Sequence, residues 1–542
     1  MSIESVAKKG RARVTANSSG VETEERVTRP NVLKPAEWFS LYRRSPGIIF
    51  AGAIAVVFAV GYLLVAPMGR DLSAQLAHAA LARQHWLALL DLRWYGGFDP
   101  VGYSVLSPAV MALLGVRLTT ALAYVASVVL FAALLKRTAV TRPLLGAVAG
   151  AVCLAGNLVV TRTPFTLGLA VALGALLALV SGRLHITAVL AVFAALCSPV
   201  AGLFLGVAGG ALFLSGQRRG GMTVATAGLV PTIVVGFVFG NDGYQTFGLK
   251  QALISLLVCL VVAGMCWRTP VVRWGALLSA GLVAGAYLIP TPVGTTATRL
   301  PELFAAPIIV AVASVPLVAV IAAAAAVGLL LPPVSVTEVL QRGDPALSAN
   351  YYAPLLDQLR ARGVAGPIEV VPTRRRGEAA LVAPVVAIAR GWSRQIDTGT
   401  SPIFYDGTLN ADTYRKWLDD NAISHVALSN GPYDWAASDE ATLVHSGLPY
   451  LQPVWSDPTW TLYAVTNPAP VISSPGRVFA RDPVSLTVTL PKPGEYVVRV
   501  HWSRFLSVSN GCVKRAQDGW STVVVQDPGT VRIKGSLAPH HC

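Results

Sequence analysis

The chain has 542 residues, 54% of them hydrophobic and only 13% charged, with a mean hydropathy of +0.57. Soluble domains carry about 25% charged residues, so a typical soluble enzyme, a disordered protein and a disulfide-rich secreted domain are excluded. Long apolar runs point instead to a multi-pass membrane protein. The pI near 9.8 does not indicate a nucleic-acid partner, because the basic surplus is localised.

Residues 1–44 hold nine Lys/Arg and five Asp/Glu and read as a disordered basic cytoplasmic tail. Residues 45–331 hold fifteen Lys/Arg and five Asp/Glu and read as a transmembrane domain with a long first outer loop, 66–117. Residues 332–542 are nearly balanced, at nineteen and eighteen, and are long enough for their own core. They divide into a soluble α/β domain, 332–469, and a soluble β-rich domain, 470–542.

The first apolar run, 48–65, follows the tail and has no small-residue cleavage site, so it reads as a retained span. Further spans are expected at 118–135, 143–160, 164–181, 222–239, 249–267 and 274–290, from the roughly 20 apolar residues a crossing helix needs. The runs 184–214 and 303–333 each carry a central proline, Pro199 and Pro316. Each is expected to enter and return as two short helices packed inside the bundle, giving about eleven spans. The Lys/Arg bias then places the N-terminus in the cytoplasm and the C-terminal domain outside. One long tilted helix at 303–333 would place that domain inside.

The first outer loop is too long to be a simple connector. It opens with Arg70-Asp71, and residues 72–90 have helical periodicity. Leu72, Leu76, Ala79, Leu87 and Leu90 share one face; Asp71, His78 and His85 share another, with Gln75 nearby. Steps of seven residues separate side chains by about 10 Å, so this stripe is not a metal site. The histidines read either as a wetted polar face or as ligand contacts, and Asp71 as a helix N-cap, a functional acid, or both. Trp94-Tyr95-Gly96-Gly97-Phe98-Asp99 reads as an interfacial belt with turns or as a binding surface for a lipid carrier or sugar. Residues 101–116 read as a second surface or re-entrant helix.

In the C-terminal region, helices are expected at 351–362, 378–390 and 410–420, and strands at 368–371 and 424–428. Alternating runs at 484–490, 496–502, 521–525 and 530–533 suggest a small β-sandwich. Seven of the twelve tryptophans lie here, fitting either core packing or glycan contact. Arg390, Trp392 and Arg394 form a polar-aromatic cluster that borders a substrate cavity or makes a structural ion-pair corner. Cys512 and Cys542 are the only cysteines beyond residue 332; outside the cell they would form a disulfide, and otherwise they are two free thiols.

A first span, an acid just beyond it, a long outer loop, many further spans and an outer domain resemble the GT-C class of membrane glycosyltransferases. The Trp94–Gly97 and Tyr103–Pro108 segments look like those of actinobacterial integral membrane proteins of this type. The resemblance implies a GT-C-like α-helical polytopic bundle followed by an α/β plus β-sandwich region. It also implies transfer of a sugar from a polyprenyl-phosphate donor, itself a membrane lipid, to an envelope glycan or lipid acceptor. By position Asp71 matches the family's loop acid, although many members carry paired acids there. An inverting transfer needs a base for the acceptor hydroxyl and cations for the departing phosphate. Asp71 is the expected catalytic base, and Arg70, Arg83, Arg93 and Arg299 are the expected phosphate contacts. His78, His85, Trp94, Tyr95, Asp99, Arg390, Trp392 and Arg394 complete the expected substrate-binding set. No cofactor is evident; a divalent metal suits such chemistry, but ligand spacing does not support one. The alternative is a transporter or non-catalytic membrane protein of envelope assembly.

Overall fold

The computed structural model describes residues 46–241, 243–331, 344–364 and 366–542; the expected tail at 1–44 lies outside them. The described chain is mostly helical, with β-sheets confined to its C-terminal part.

The membrane part is built from α1 (Pro46–Val65), α4 (Val116–Arg137), α5 (Pro143–Val160), α6 (Thr163–Val180), α7 (Leu184–Cys197), α8 (Pro199–Leu214), α9 (Arg218–Phe239), α10 (Leu249–Met265), α11 (Pro270–Leu288), α12 (Arg299–Val312) and α13 (Leu317–Leu330). Between α1 and α4 lie α2 (Leu72–Gln84) and the short α3 (Ser107–Leu114). Among the described residues seven apolar helices are long enough to cross a membrane, and four more, α7, α8, α10 and α13, are shorter. The chain breaks at Ser198-Pro199 between α7 and α8, and again before Leu317, because proline supplies no N–H to continue a helix. α12 packs inside the bundle, against α5. α13 does not: Val318 and Leu329 are more than 80% exposed, which suits lipid rather than protein neighbours.

The two ends of the bundle are distinct. At one, Arg142 donates to the carbonyls of Ala313 and Val315 between α12 and α13. At the other lies the first long loop, and there residues 344–542 make their contacts. Thr398 bonds the backbone of Tyr244, and Arg375 bonds the carbonyl of Met68; Asn241, at the same end, bonds the backbone of Asp99 in the first loop.

The C-terminal region contains α14 (Ala349–Ala361), α15 (Glu378–Leu381), α16 (Arg394–Thr400), α17 (Ala411–Asp420) and α18 (Ser438–His445) around a sheet ordered β1-β2-β4-β3. In it β1 (Ile368–Val370) runs parallel to β2 (His425–Ser429), whereas β3 (Leu451–Ser456) and β4 (Trp460–Val465) are antiparallel. Asn410 caps α17 in a full capping box with Thr413. Then come β5 (Arg477–Asp482), β6 (Ser485–Leu490), β7 (Gly494–His501), β8 (Leu506–Val508), β9 (Cys512–Arg515), β10 (Trp520–Val525) and β11 (Gly529–Gly535). They form two antiparallel sheets, β7-β10-β9 and β5-β6-β11-β8, with Val488, Val498, Val523 and Ile533 in the core. Cys512 and Cys542 are joined by a disulfide.

Two expected helices are shorter than their periodicity implied. The run 378–390 is helical only to Leu381, because Pro384 removes a backbone donor; Ile388 and Ala389 then pair with Ile368 at the sheet edge. The run 72–90 ends at Gln84, because Leu90 and Leu92 are drawn into the β-sandwich core. Trp94, Tyr95 and Phe98 enter the core of the α/β unit in the same way. Residues 89–99 are thus a strut that ties both C-terminal units to the membrane bundle.

Candidate functional site

Gly69 sets the geometry at the end of α1. Its backbone passes so close to α5 that an added Cβ would meet the Val159 carbonyl oxygen at 2.4 Å. The Asp71 N–H donates to the carbonyl of Val160 at 3.1 Å, fastening the loop to the end of α5. Asp71 occupies the N-cap position of α2, yet its carboxylate makes no capping hydrogen bond. It turns instead to the α5–α6 connection, where Oδ2 lies 3.6 Å from Arg162 Nε. Arg162 follows Thr161, a non-glycine residue at φ +62°, whose hydroxyl is hydrogen-bonded to Tyr62.

The opposite side comes from α12. Arg162 Nη1 lies 4.0 Å from Glu302 Oε2 in the first turn of that helix. Arg299, three residues earlier, has its guanidinium carbon 5.4 Å from the centre of the Phe165 ring. It makes no hydrogen bond and no ion pair among the described residues, although Asp71, Glu302, Tyr103 and Arg162 are all within electrostatic reach. A partly buried arginine held by no hydrogen bond or ion pair among the described residues is costly unless something binds it.

The stripe read from the sequence continues from Asp71 along α2. Gln75 Nε2 donates to the Tyr103 hydroxyl at 2.8 Å. His78 stacks on the Tyr103 ring at 4.7 Å and meets Trp94 edge-on. Burial pushes His78 down to about 4, so it is neutral at pH 7. Burial, helped by the negative charge of Asp71, pushes the Tyr103 hydroxyl up to about 12. Gln75 Oε1, His78 Nε2, both polar atoms of Asn157 and Arg162 Nε are buried without hydrogen-bond partners. From above, the Trp392 indole donates to the Arg70 carbonyl and its ring approaches Tyr103.

The other expected contacts lie elsewhere. Arg83 bonds the Ala112 carbonyl on the exposed side of α2, and His85 ends that helix. Arg93 is locked onto Asp91 at 2.6 Å and onto the Ala77 carbonyl. Trp94 and Tyr95 are 0% and 1% exposed, so they are core residues rather than a binding face. Asp99 accepts from Ser503, and burial pushes its carboxyl up to about 6. Arg390 is enclosed between Glu369 and Glu440, the structural corner of the two sequence readings. Arg394 pairs with Asp434 at 2.7 Å and lies over Trp435. The structure therefore gathers Asp71, Arg299 and Trp392, with Gln75 and His78 adjacent. It adds Arg162, Glu302 and Tyr103, which sequence reading did not select. Among the described residues no group of three or more His, Cys, Asp or Glu side chains is placed to hold a metal ion.

No family model matches the chain, and no curated protein matches it.

Proposed function

We propose that the protein is a membrane glycosyltransferase that moves a sugar from a polyprenyl-phosphate donor to a glycan or lipid acceptor outside the cytoplasm. The observation that carries the reading is Arg299. It is a partly buried cation that makes no hydrogen bond or ion pair among the described residues, beside a carboxylate, where the membrane bundle meets the C-terminal domain. A lipid phosphate supplies the missing counter-charge from within the membrane, and the guanidinium fork suits its oxygens. Asp71 takes the acceptor hydroxyl proton as the new bond to the sugar C1 forms. The bond from C1 to the phosphate oxygen breaks, and its electron pair leaves with the phosphate, stabilised by Arg299 and Arg162. The outer placement rests on the Lys/Arg bias together with the shared end occupied by the first loop and residues 344–542.

The test is complementation of a deletion strain by Asp71→Asn and Arg299→Gln at equal membrane levels, read out on the envelope glycans. Loss of one glycan or glycolipid in both variants is expected. Full rescue by both would overturn the reading and leave a non-catalytic role in envelope assembly.

A further inference from the structure

We propose that Arg162 is a switch that couples phosphate binding to the basicity of Asp71. In this structure Arg162 is shared by Asp71 and Glu302, and a phosphodiester at Arg299 draws it away, leaving Asp71 a stronger base once the donor is in place. The inference rests on the lipid-phosphate reading and adds a regulation of the same site.

The geometry of Arg162 is the basis. Its distances to Asp71 and Glu302, 3.6 and 4.0 Å, exceed those of hydrogen bonds. Both acids attract the guanidinium, and neither fixes its direction. Its buried Nε has no hydrogen-bond partner, so that donor is uncommitted. A phosphodiester offers short, charge-assisted and bidentate bonds, which are stronger than either long ion pair. Glu302 is a positioning residue here: it keeps Arg162 from settling on Asp71 alone.

The consequence for Asp71 follows from its surroundings. It faces Arg162 from the α5–α6 connection, Arg299 and Glu302 from α12, and Tyr103 across the first loop. Arg70 adjoins it in the chain, while Arg117 and Arg375 bind the neighbouring carbonyls of Pro67 and Met68. Binding removes a cation from 3.6 Å and brings an anion close. Both changes favour the protonated carboxyl. Linkage makes this reciprocal, so protonation of Asp71 must strengthen anion binding.

The experiment is calorimetric titration of the full-length protein in lipid nanodiscs with farnesyl methyl phosphodiester. This probe keeps a single negative charge over the working pH range. Titrations at pH 5 in buffers of different ionisation enthalpy report the protons taken up. The wild type should take up a fraction of a proton per site, and its affinity should rise several-fold between pH 7 and pH 5. Asp71→Asn should bind with no uptake. Glu302→Gln should take up more, because Arg162 then rests on Asp71 until the phosphodiester draws it away. Binding with no uptake and no pH dependence in the wild type overturns the switch alone. Uptake unchanged in Asp71→Asn does the same. Failure of the wild type to bind the phosphodiester overturns both the switch and the lipid-phosphate reading.

Discussion

The backbone of Gly69 lies against that of Val160, where an added Cβ would sit 2.5 Å from the Val160 carbonyl carbon and oxygen. Two bonded residues later the Asp71 N–H reaches the same carbonyl, so this contact fixes the carboxylate relative to Arg162. Gly69→Ala must push the loop away from α5, because the obstructing atoms are backbone. Overpacking of this kind costs about 1–3 kcal/mol. The expected result is a protein that still inserts and folds, with glycan transfer reduced at least about tenfold by misplacement of Asp71. Thermal unfolding in detergent and envelope-glycan analysis measure the two effects separately.

The two substitutions at Asp71 should behave alike, which a capping role would not allow. As a cap, Asn would be almost silent and Ala would cost about 1 kcal/mol. The carboxylate makes no capping bond, so Ala forfeits no such interaction. As a base, both variants lose about 10²–10⁴ in rate. Transfer assays on Asn and Ala variants with matched melting temperatures check this. Near-normal transfer by Asn would return Asp71 to a structural role.

Arg299→Gln should separate function from stability. The guanidinium makes no ion pair among the described residues, so removing it relieves desolvation and forfeits only its contact with the Phe165 ring. The melting temperature should hold or rise while phosphodiester affinity falls at least about tenfold, as expected where a site is kept at the expense of stability. A lowered melting temperature with unchanged affinity would make Arg299 a scaffold residue.

The membrane part was largely legible in the sequence, since long apolar runs have few alternatives in lipid. The breaks at Pro199 and Pro316 and the alternating strands of the β-sandwich were legible for equally local reasons. The site was only half legible. Asp71, Gln75 and His78 share a helix face, which spacing reveals. Arg162 and Glu302 reach them from 91 and 231 residues further along the chain, and no local pattern encodes that meeting. Trp94 and Tyr95 misled because an exposed aromatic belt and a buried aromatic strut have the same local sequence; only the distant partners Ile388 and Ala389 distinguish them.

Arg390 tests the strut and its surroundings as structure. Its guanidinium is wholly buried between Glu369 and Glu440 and lies over the Phe404 ring. Removing one partner from such a cluster leaves uncompensated charge and costs about 3–5 kcal/mol. Arg390→Met should therefore lower membrane levels and thermal stability sharply. Arg394→Met should cost less, because Asp434 keeps a second cation, Arg376, at 3.7 Å. Melting curves of the two variants give the comparison. Equal, small shifts would show that the Arg390 cluster is not a structural anchor.

The stacked pair of His78 and Tyr103 predicts a pH dependence of stability. Burial depresses His78 to about 4, below the roughly 6.5 of the unfolded chain. The unfolded chain therefore binds the proton first, and stability is lost as pH falls from about 6.5 towards 4. At pH 5 this amounts to about 2 kcal/mol relative to pH 8. Asp99 acts in the opposite sense. Its carboxyl is raised to about 6, so protonation favours the folded state as pH falls through 6. The two slopes partly cancel in the wild type, and substitution resolves them. His78→Gln should abolish the acid-side loss of melting temperature between pH 7 and 5 and leave the opposite slope of Asp99, and Asp99→Asn should steepen the loss. Melting curves at half-unit pH steps for the three proteins provide the measurement. If His78→Gln follows the wild-type curve, His78 is not held neutral against Tyr103, and the closed packing of that face of α2 is wrong.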